Sequence, residues 1–419
     1  MKVLVVGKGG REHALVHGLW QSGAEVLATQ PNPGMAQHAR ALAVAPTDVA
    51  GILAAAQAEH VDLVVIGPEA PLVLGLADVL RAHGFAVFGP GQAPAQLEAS
   101  KDFTKKFLIR HGIPTARHVT VTDLTTARAA LRTFATPPVI KADGLAAGKG
   151  VVVPDTWAEA EAAVQAFLGD RTLGEAGAKL VLEERLVGPE ISALALCDGK
   201  TLLPLDLARD HKRILDGDRG DNTGGMGAVS PLPNVDAATR GRIDAEVLQP
   251  TLAGLLADGM EFRGVIYAGI MLTADGPKVL EYNVRFGDPE AQVLIPRLGA
   301  RLADLLLAAA TGQLAGQTLP HDVPAAVTVV LAAAGYPGTP RTGDVIHGLA
   351  AAAALPDVLV YHAGTQADGA TVRTAGGRVL AVTGLGATVA QARARAYAGA
   401  AEIQFDGKQL RTDIASSVL

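Results

Sequence analysis

The sequence predicts a multi-domain chain of mixed α/β and α+β class, on three observations. At 419 residues it is too long for one ordinary hydrophobic core. Apolar residues make up 49% but aromatics only 4%, so the cores must be built from Val, Leu, Ile and Ala, a diet that suits parallel sheets covered by helices. Short apolar runs also alternate with helical stretches at the start of the chain, the rhythm of βαβ units.

Val3-Leu4-Val5-Val6, Val26-Leu27-Ala28, Leu63-Val64-Val65-Ile66 and Ala86-Val87-Phe88 are the runs that predict an N-terminal doubly wound parallel sheet of order 2-1-3-4, ending near Gly91. Ser100 then caps an amphipathic helix with Phe103, Phe107 and Leu108 on one face, and opens a second domain. Pro138–Lys141 and Gly150–Val153 read as a hairpin across a Gly-rich loop, and Leu180–Glu184 as an apolar strand ending in acids. Val265–Met271 and Lys278–Asn283 read as two strands across a turn at Asp275-Gly276. An Ala-rich helix from Ala300 to Thr311 precedes a break at Pro320–Pro324. Strands near Ala326–Ala333 and Arg378–Thr383 then predict a small β-rich C-terminal domain. The boundaries expected are 1–100, 101–324 and 325–419.

A net charge of −6 without a basic block argues against nucleic acid or acidic lipid as partner. No apolar run reaches the roughly 18 residues that span a bilayer, so no membrane insertion is expected. The chain opens on a strand pattern rather than a signal peptide, and its single cysteine, Cys197, lies in an apolar strand as a core thiol. A cytoplasmic location is expected.

Four motifs carry chemistry. Gly7-Lys8-Gly9-Gly10-Arg11-Glu12-His13 leaves the first strand and enters a helix, so its amides can converge on an anion; the alternative is a tight turn that needs glycine for shape alone. It is a poor dinucleotide fingerprint, because Glu12 replaces the third glycine and no ribose-binding acid ends the second strand. Gly67-Pro68-Glu69-Ala70-Pro71 ends the third strand beside that loop, where Glu69 can bond sugar hydroxyls or an amine, or else be an exposed acid on a turn. Lys141 and Lys149 flank the Gly-rich loop and can fold over a triphosphate, each charge-assisted bond contributing about 1.5–3 kcal/mol; the alternative for the loop alone is a flexible hairpin with solvated lysines. The loop is no Walker A motif, since Gly150 follows Lys149.

The fourth motif is Glu281-Tyr282-Asn283. Strand alternation sends Glu281 and Asn283 to one face, a pair of hard oxygens that suits Mg²⁺, with Arg285 two residues on to meet a phosphoryl group in transfer; taken alone, the same pattern is more often a solvated strand face. Asp210-His211-Lys212-Arg213 and the glycine run Asn222–Ala228 can shape a small-substrate pocket without specifying a chemistry, and His211 fits a structural role as well as a functional one.

In their order, VGKGGREHAL, GPEAPL, SKDFTKKF, IKADGLAAGKGV, DHKR, NTGGMGA, EYNVRFGDPE and GYPGTPRTGDVI resemble the phosphoribosylamine–glycine ligase family of the ATP-grasp superfamily along the whole chain. The resemblance implies an N-terminal substrate-binding domain, an ATP-grasp core with a hinged lid from about Thr120 to Leu186, and a C-terminal domain similar to that of biotin carboxylase. It implies ATP as co-substrate with Mg²⁺ or Mn²⁺ on Glu281 and Asn283. Lys105, Lys141 and Lys149 would face phosphates, Glu183, Glu184 and Leu186 would line the adenine pocket with backbone groups, and Glu190 would hold the ribose. Arg285 and Lys149 would act on the transferring phosphoryl group. Gly9, Gly10, Arg11, Gly67, Pro68 and Glu69 would meet 5-phosphoribosylamine, with Lys212 also at the substrates, and Asp210 or Asp288 would take the glycine ammonium. The implied reaction forms glycinamide ribonucleotide, ADP and phosphate through glycyl phosphate, in de novo purine (IMP) biosynthesis.

Two departures from the family pattern stand out. The strand before Glu281 offers no carboxylate between Tyr267 and Met271, which puts a second metal site in doubt, and Gln30-Pro31-Asn32-Pro33-Gly34-Met35 stands where a P-G-N-A-G-like run is common. A different ATP-grasp carboxylate–amine ligase would share the lysines and the E-x-N pair but not the first two loops. A non-catalytic nucleotide-binding regulator would be expected to lose Glu281, Asn283 or Arg285. The chain is expected to be monofunctional and monomeric, with a weak dimer as the alternative.

Overall fold

The computed structural model describes residues 1–144 and 150–418. At the N-terminus β1 (Lys2–Val6), β2 (Glu25–Thr29), β3 (Arg40–Leu42), β4 (Leu63–Ile66) and β5 (Ala86–Phe88) form a parallel sheet of order β3-β2-β1-β4-β5. The four predicted strands keep their predicted order, and β3 adds an edge that the sequence did not announce. Its three residues, Arg40-Ala41-Leu42, include no buried side chain. In β1 Val3, Leu4, Val5 and Val6 are all fully buried, because helices cover both faces of the sheet. Chain order reverses between β1 and β4, which opens a crevice beyond their carboxyl ends.

Ser100 accepts a hydrogen bond from Phe103 N at 3.1 Å and caps the helix Lys101–Arg110, burying Phe107 and Leu108. The strands β6 (His118–Val121), β7 (Val139–Ala142), β8 (Val151–Val152) and β9 (Leu180–Glu183) then form an antiparallel sheet of order β6-β9-β7-β8. Two helices and the side chains of this sheet enclose an apolar cluster of their own, including Leu131, Phe134, Ile140, Phe167 and Leu182.

A second antiparallel sheet runs Leu202–Pro204, Glu190–Asp198, Arg263–Thr273, Gly276–Asn283. Cys197 is buried within it, where its thiol donates to Phe262 O and burial pushes its pKa up to about 12, a core thiol with no nucleophilic character. The C-terminal sheet is built on Ala325–Ala332, Arg378–Gly386 and Val358–His362. It also recruits Gly227–Ser230 and Arg209–Asp210 from the middle of the chain, so Asp210 reaches the cavity from the edge of this sheet. Two small hairpins, Arg213–Leu215 with Arg219–Asn222 and Thr365–Asp368 with Thr371–Thr374, stand outside these layers. No helix among the described residues is long and apolar enough to cross a membrane.

Candidate active site

All the larger sheets contribute to one open cavity of about 470 Å³. Arg11 and Glu69 enter it from the first turns of the helices that follow β1 and β4, Lys105 from the capped helix, Glu183 from β9, and Asp210 and Lys212 from the C-terminal sheet edge and the segment after it. Glu281, Asn283, Arg285 and Asp288 come from the end of Gly276–Asn283 and the loop beyond.

The lysines line up on a buried carboxylate. Lys105 Nζ lies 2.9 Å and Lys141 Nζ 3.0 Å from Glu183, which carries only 2% exposure. Burial pulls the Lys105 pKa down to about 8 despite Glu183, whereas the two ammonium groups overcome the burial of Glu183 and hold its carboxyl below the usual range. The side chain of Glu183 is thus engaged with Lys105 and Lys141. Lys141 also donates to Leu280 O, the residue before Glu281. Lys149 lies outside the described residues. Glu184 is exposed with its N–H bonded to Arg117 O, and neither it nor Leu186 is part of the cavity wall.

Glu281 and Asn283 share a face, with Tyr282 turned into the core against Thr251. Register sets Gly269 opposite Glu281 and Tyr267 opposite Asn283, so the neighbouring strand supplies no acid beside the pair. Lys212 reaches Glu281 at 3.4 Å and also pairs with Glu190, bringing Glu190 to the cavity through an ion pair rather than on its wall. Above all Lys212, and then Lys141, holds Glu281 down to about 2 against burial, so its carboxylate is charged throughout the physiological range. Two hard oxygens, one permanently anionic, fit a Mg²⁺ ion that takes its remaining ligands from phosphates and water.

Arg285 is locked by its own surroundings. One terminal nitrogen donates to Glu98 at 2.6 Å and to Asn283 Oδ1 at 3.0 Å, while the other donates to Phe286 O. Its Nε–H is buried without a hydrogen-bond partner among the described residues, with Glu69 3.6 Å away. Burial disfavours the charge, but Glu98 and Glu69 more than offset it and raise the pKa above the usual arginine value.

Two carboxyl groups, Asp210 and Asp288, face the cavity, and they differ. Asp288 is already served by Gln292 at 2.8 Å and by Arg378 at 3.3 Å, and Arg378 and Arg11 outweigh its burial to hold its pKa low. Asp210 Oδ1 is buried with no hydrogen-bond partner among the described residues. Burial, then Glu290, pushes the Asp210 carboxyl up.

The glycine loop holds a side chain of its own. Gly9 N–H donates to Glu12 at 2.5 Å and Gly7 N–H to Thr29 Oγ1, while a Cβ at Gly7 or Gly67 would come within 2.6 Å of Glu12. These glycines, with Pro68 beside them, make room for the Glu12 carboxylate, which also pairs with Arg11 at 2.6 Å. Gly9, Gly10, Gly67 and Pro68 lie behind the cavity wall, and Arg11 and Glu69 carry these loops into it.

Sequence reading passed over Glu98, Lys101, Tyr267, Glu290, Tyr336 and Arg378, all on the cavity wall. Lys101 and Glu290 lie inside the motifs singled out, where strand and cap logic hid their facing. Tyr336 lies inside the GYPGTPRTGDVI run, whose chemistry was not read, while Glu98 and Arg378 arrive by tertiary folding from positions without a local signal. Arg378 donates to Asp288 O at 2.6 Å and to Gly224 O, tying the two glycine-containing loops together.

Comparison with known proteins agrees along the full length. Residues 1–98, 99–291 and 326–417 match the N domain, the ATP-grasp (A) domain and the C domain of phosphoribosylglycinamide synthetase. The phosphoribosylamine–glycine ligases of Xanthomonas axonopodis pv. citri and Allochromatium vinosum are each 50% identical over 99% of this chain, covering 97% and 98% of those proteins. The crystal structure of phosphoribosylamine–glycine ligase from Thermotoga maritima superposes with a TM-score of 0.86 at 34% identity, over 99% of this chain and 100% of that one. The biotin carboxylase domain of Hydrogenobacter thermophilus 2-oxoglutarate carboxylase shares the fold at a TM-score of 0.74 and 16% identity, over 98% of this chain and 91% of that one.

Proposed function

The chain belongs to the phosphoribosylglycinamide synthetase family, and from that premise we propose that it is a phosphoribosylamine–glycine ligase. It joins glycine to 5-phosphoribosylamine with ATP, giving glycinamide ribonucleotide, ADP and phosphate in purine (IMP) biosynthesis. The observation that carries this reading is the meeting, in one cavity, of Lys105, Glu281, Asn283 and Arg285 with Arg11 and Glu69.

A carboxylate is a poor acylating agent until one of its oxygens leaves as phosphate. Glycine's carboxylate oxygen therefore attacks the γ-phosphorus and ADP departs with the bridging oxygen. The amine nitrogen of phosphoribosylamine then attacks the carbonyl of glycyl phosphate, and phosphate leaves as the amide forms. Lys105, Lys141 and Lys149 hold the phosphates, the ammonium groups of the first two exchanging Glu183 for the nucleotide. Backbone groups of Glu183, Glu184 and Leu186, the last two standing off the open cavity, border the adenine once the lid closes, and Glu190 the ribose. A divalent cation on Glu281 and Asn283, Mg²⁺ or alternatively Mn²⁺, neutralises phosphate charge when bound. Arg285 directs its free Nε–H at the phosphoryl group. The unit from about 120 to 186, with its separate apolar cluster, closes as a lid and keeps water from the acyl phosphate. Arg11, Glu69 and the glycine-loop backbone border the phosphoribosylamine.

Between the two candidates for the glycine ammonium, Asp210 is favoured, because its buried Oδ1 has no hydrogen-bond partner among the described residues while Asp288 has Arg378 and Gln292. Asp210→Asn is expected to raise KM for glycine about tenfold to a hundredfold with little change for ATP, and Asp288→Asn to do less. Initial rates at varied glycine check this.

The decisive assay is ADP formation with Mg²⁺, glycine and freshly made 5-phosphoribosylamine, omitting each in turn and identifying the product by mass. Strict dependence on both substrates establishes the reaction. ADP release with other acids or amines but not with this pair would move the chain to another ATP-grasp activity. The reading takes the protein as a cytoplasmic monomer, which sedimentation with and without nucleotide tests.

A further inference from the structure

The segment that carries Asp210 and Lys212 into the cavity has a second face, and the C-terminal tail grips it. His211, between them, points away from the cavity and is buried. Its Nε2 accepts the backbone N–H of Ala415 at 3.1 Å, so the ring must be neutral at that nitrogen. Arg411 has an exposure of only 1% and spans the gap: it donates to Arg213 O at 3.1 Å and Asp218 at 2.7 Å on the substrate segment, and bidentately to Asp413 at 2.7 Å on the tail. Gly217 N–H donates to Asp413 and Thr412 N–H to Asp216, both at 2.8 Å, which closes the far end of the hairpin Arg213–Asn222 onto the tail.

The backbone bends to make these contacts. Ala415, whose N–H meets His211, has φ 65°, and Asp218, which meets Arg411, has φ 51°. A left-handed conformation in an alanine persists only where surrounding contacts determine it, and such residues concentrate at sites with a functional constraint. Burying Arg411 is compensated only by this set of carboxylates and carbonyls, so it fixes one arrangement of tail and hairpin.

We propose that His211 and Arg411 are positioning residues, through which the C-terminal tail latches the back of the segment whose front presents Asp210 to glycine and Lys212 to Glu281. The inference rests on the proposed reaction for its kinetic consequence, while the latch has a readout of its own. A displacement of about 1 Å at a substrate-holding group can cost about a hundredfold, and nothing in the latch touches the lysine shelf on Glu183. His211→Leu and Arg411→Met are therefore expected to raise KM for glycine about tenfold or more, with a smaller rise in KM for ATP transmitted through Lys212 to Glu281 and Glu190. His211→Gln, whose side-chain oxygen can accept the Ala415 N–H, is expected to stay near the unaltered KM for glycine. Folded leucine and methionine variants with unchanged KM for glycine, or a glutamine variant as impaired as the leucine one, would overturn the proposal.

Hydrogen exchange on the unaltered protein covers the case in which a variant does not fold. Glycine added with Mg²⁺ and ADP is expected to slow exchange at Ala415 N–H along with peptides spanning 209–227. Slowing confined to 209–227 would overturn the latch. Absence of ADP formation by the unaltered protein with glycine and 5-phosphoribosylamine would instead strike the proposed reaction, and slower exchange in His211→Leu than in the unaltered protein would strike the latch alone.

Discussion

Replacing Glu281 by alanine is expected to lower ADP formation by about 10²–10³-fold without unfolding the protein. The carboxylate lies on an edge strand and keeps a third of its surface exposed, so little packing is lost. Its removal leaves Lys212 paired with Glu190, so no buried charge is orphaned. What disappears is the only permanently anionic oxygen of the E-x-N pair. The strand opposite presents Gly269 and Tyr267 and has no acid to take its place. Glu281→Gln keeps a neutral oxygen at the position and is expected to recover part of the rate as Mg²⁺ is raised. A coupled ADP assay over a metal titration, with the thermal midpoint as control, checks both. Full turnover by the alanine variant at ordinary Mg²⁺ would remove Glu281 from metal binding.

The parts of this molecule legible in its sequence are those whose signal is local. The apolar runs at Val3–Val6 and Leu63–Ile66 are buried on both faces, so they could be nothing but interior strands. Asp275-Gly276 marks a hairpin because Gly276 has φ 129°, a value that favours glycine. The pairing of Glu281 with Asn283 on one face follows from the two-residue period of a strand. Arg40–Leu42 failed that test because an edge strand of three partly exposed residues needs no apolar content.

Nothing local could show that Arg209–Asp210 and Gly227–Ser230 join the C-terminal sheet, since Gly227–Ser230, on which Arg209–Asp210 pairs, finds its own partner strand almost a hundred residues later. The same holds for Arg378 and Glu98, whose importance lies in the charge they meet across the cavity. Glu12 is the instructive middle case. Its identity disfavoured a dinucleotide at the sequence level, yet only the structure shows why the glycines around it are needed, because its own carboxylate fills the space they leave. A glycine-rich turn at a helix start is thus evidence of a close approach, and here what approaches comes from the same chain.

Arg285→Ala is expected to reduce turnover by about 10³-fold, and the difficulty is to separate this from damage to the fold. Breaking a buried ion pair can cost about 3–5 kcal/mol, a large part of the stability of an ordinary domain. Here the abandoned partner has an escape, because burial already raises the pKa of Glu98 and a proton can neutralise it once Arg285 is gone. Glu98→Gln added to Arg285→Ala removes even that cost, since the amide still accepts from Val284 N–H, as Glu98 does at 2.9 Å. The double variant is therefore expected to regain stability over Arg285→Ala while remaining as slow. Arg285→Lys is expected to help little, since one ammonium cannot bond Glu98, Asn283 and a phosphoryl oxygen in the fixed fork that a guanidinium provides. Urea midpoints and single-turnover ADP formation on the four proteins separate the two effects. If the double variant recovers rate in step with stability, Arg285 serves the fold. If stability returns without rate, its unpartnered Nε–H belongs to the phosphoryl group in transfer.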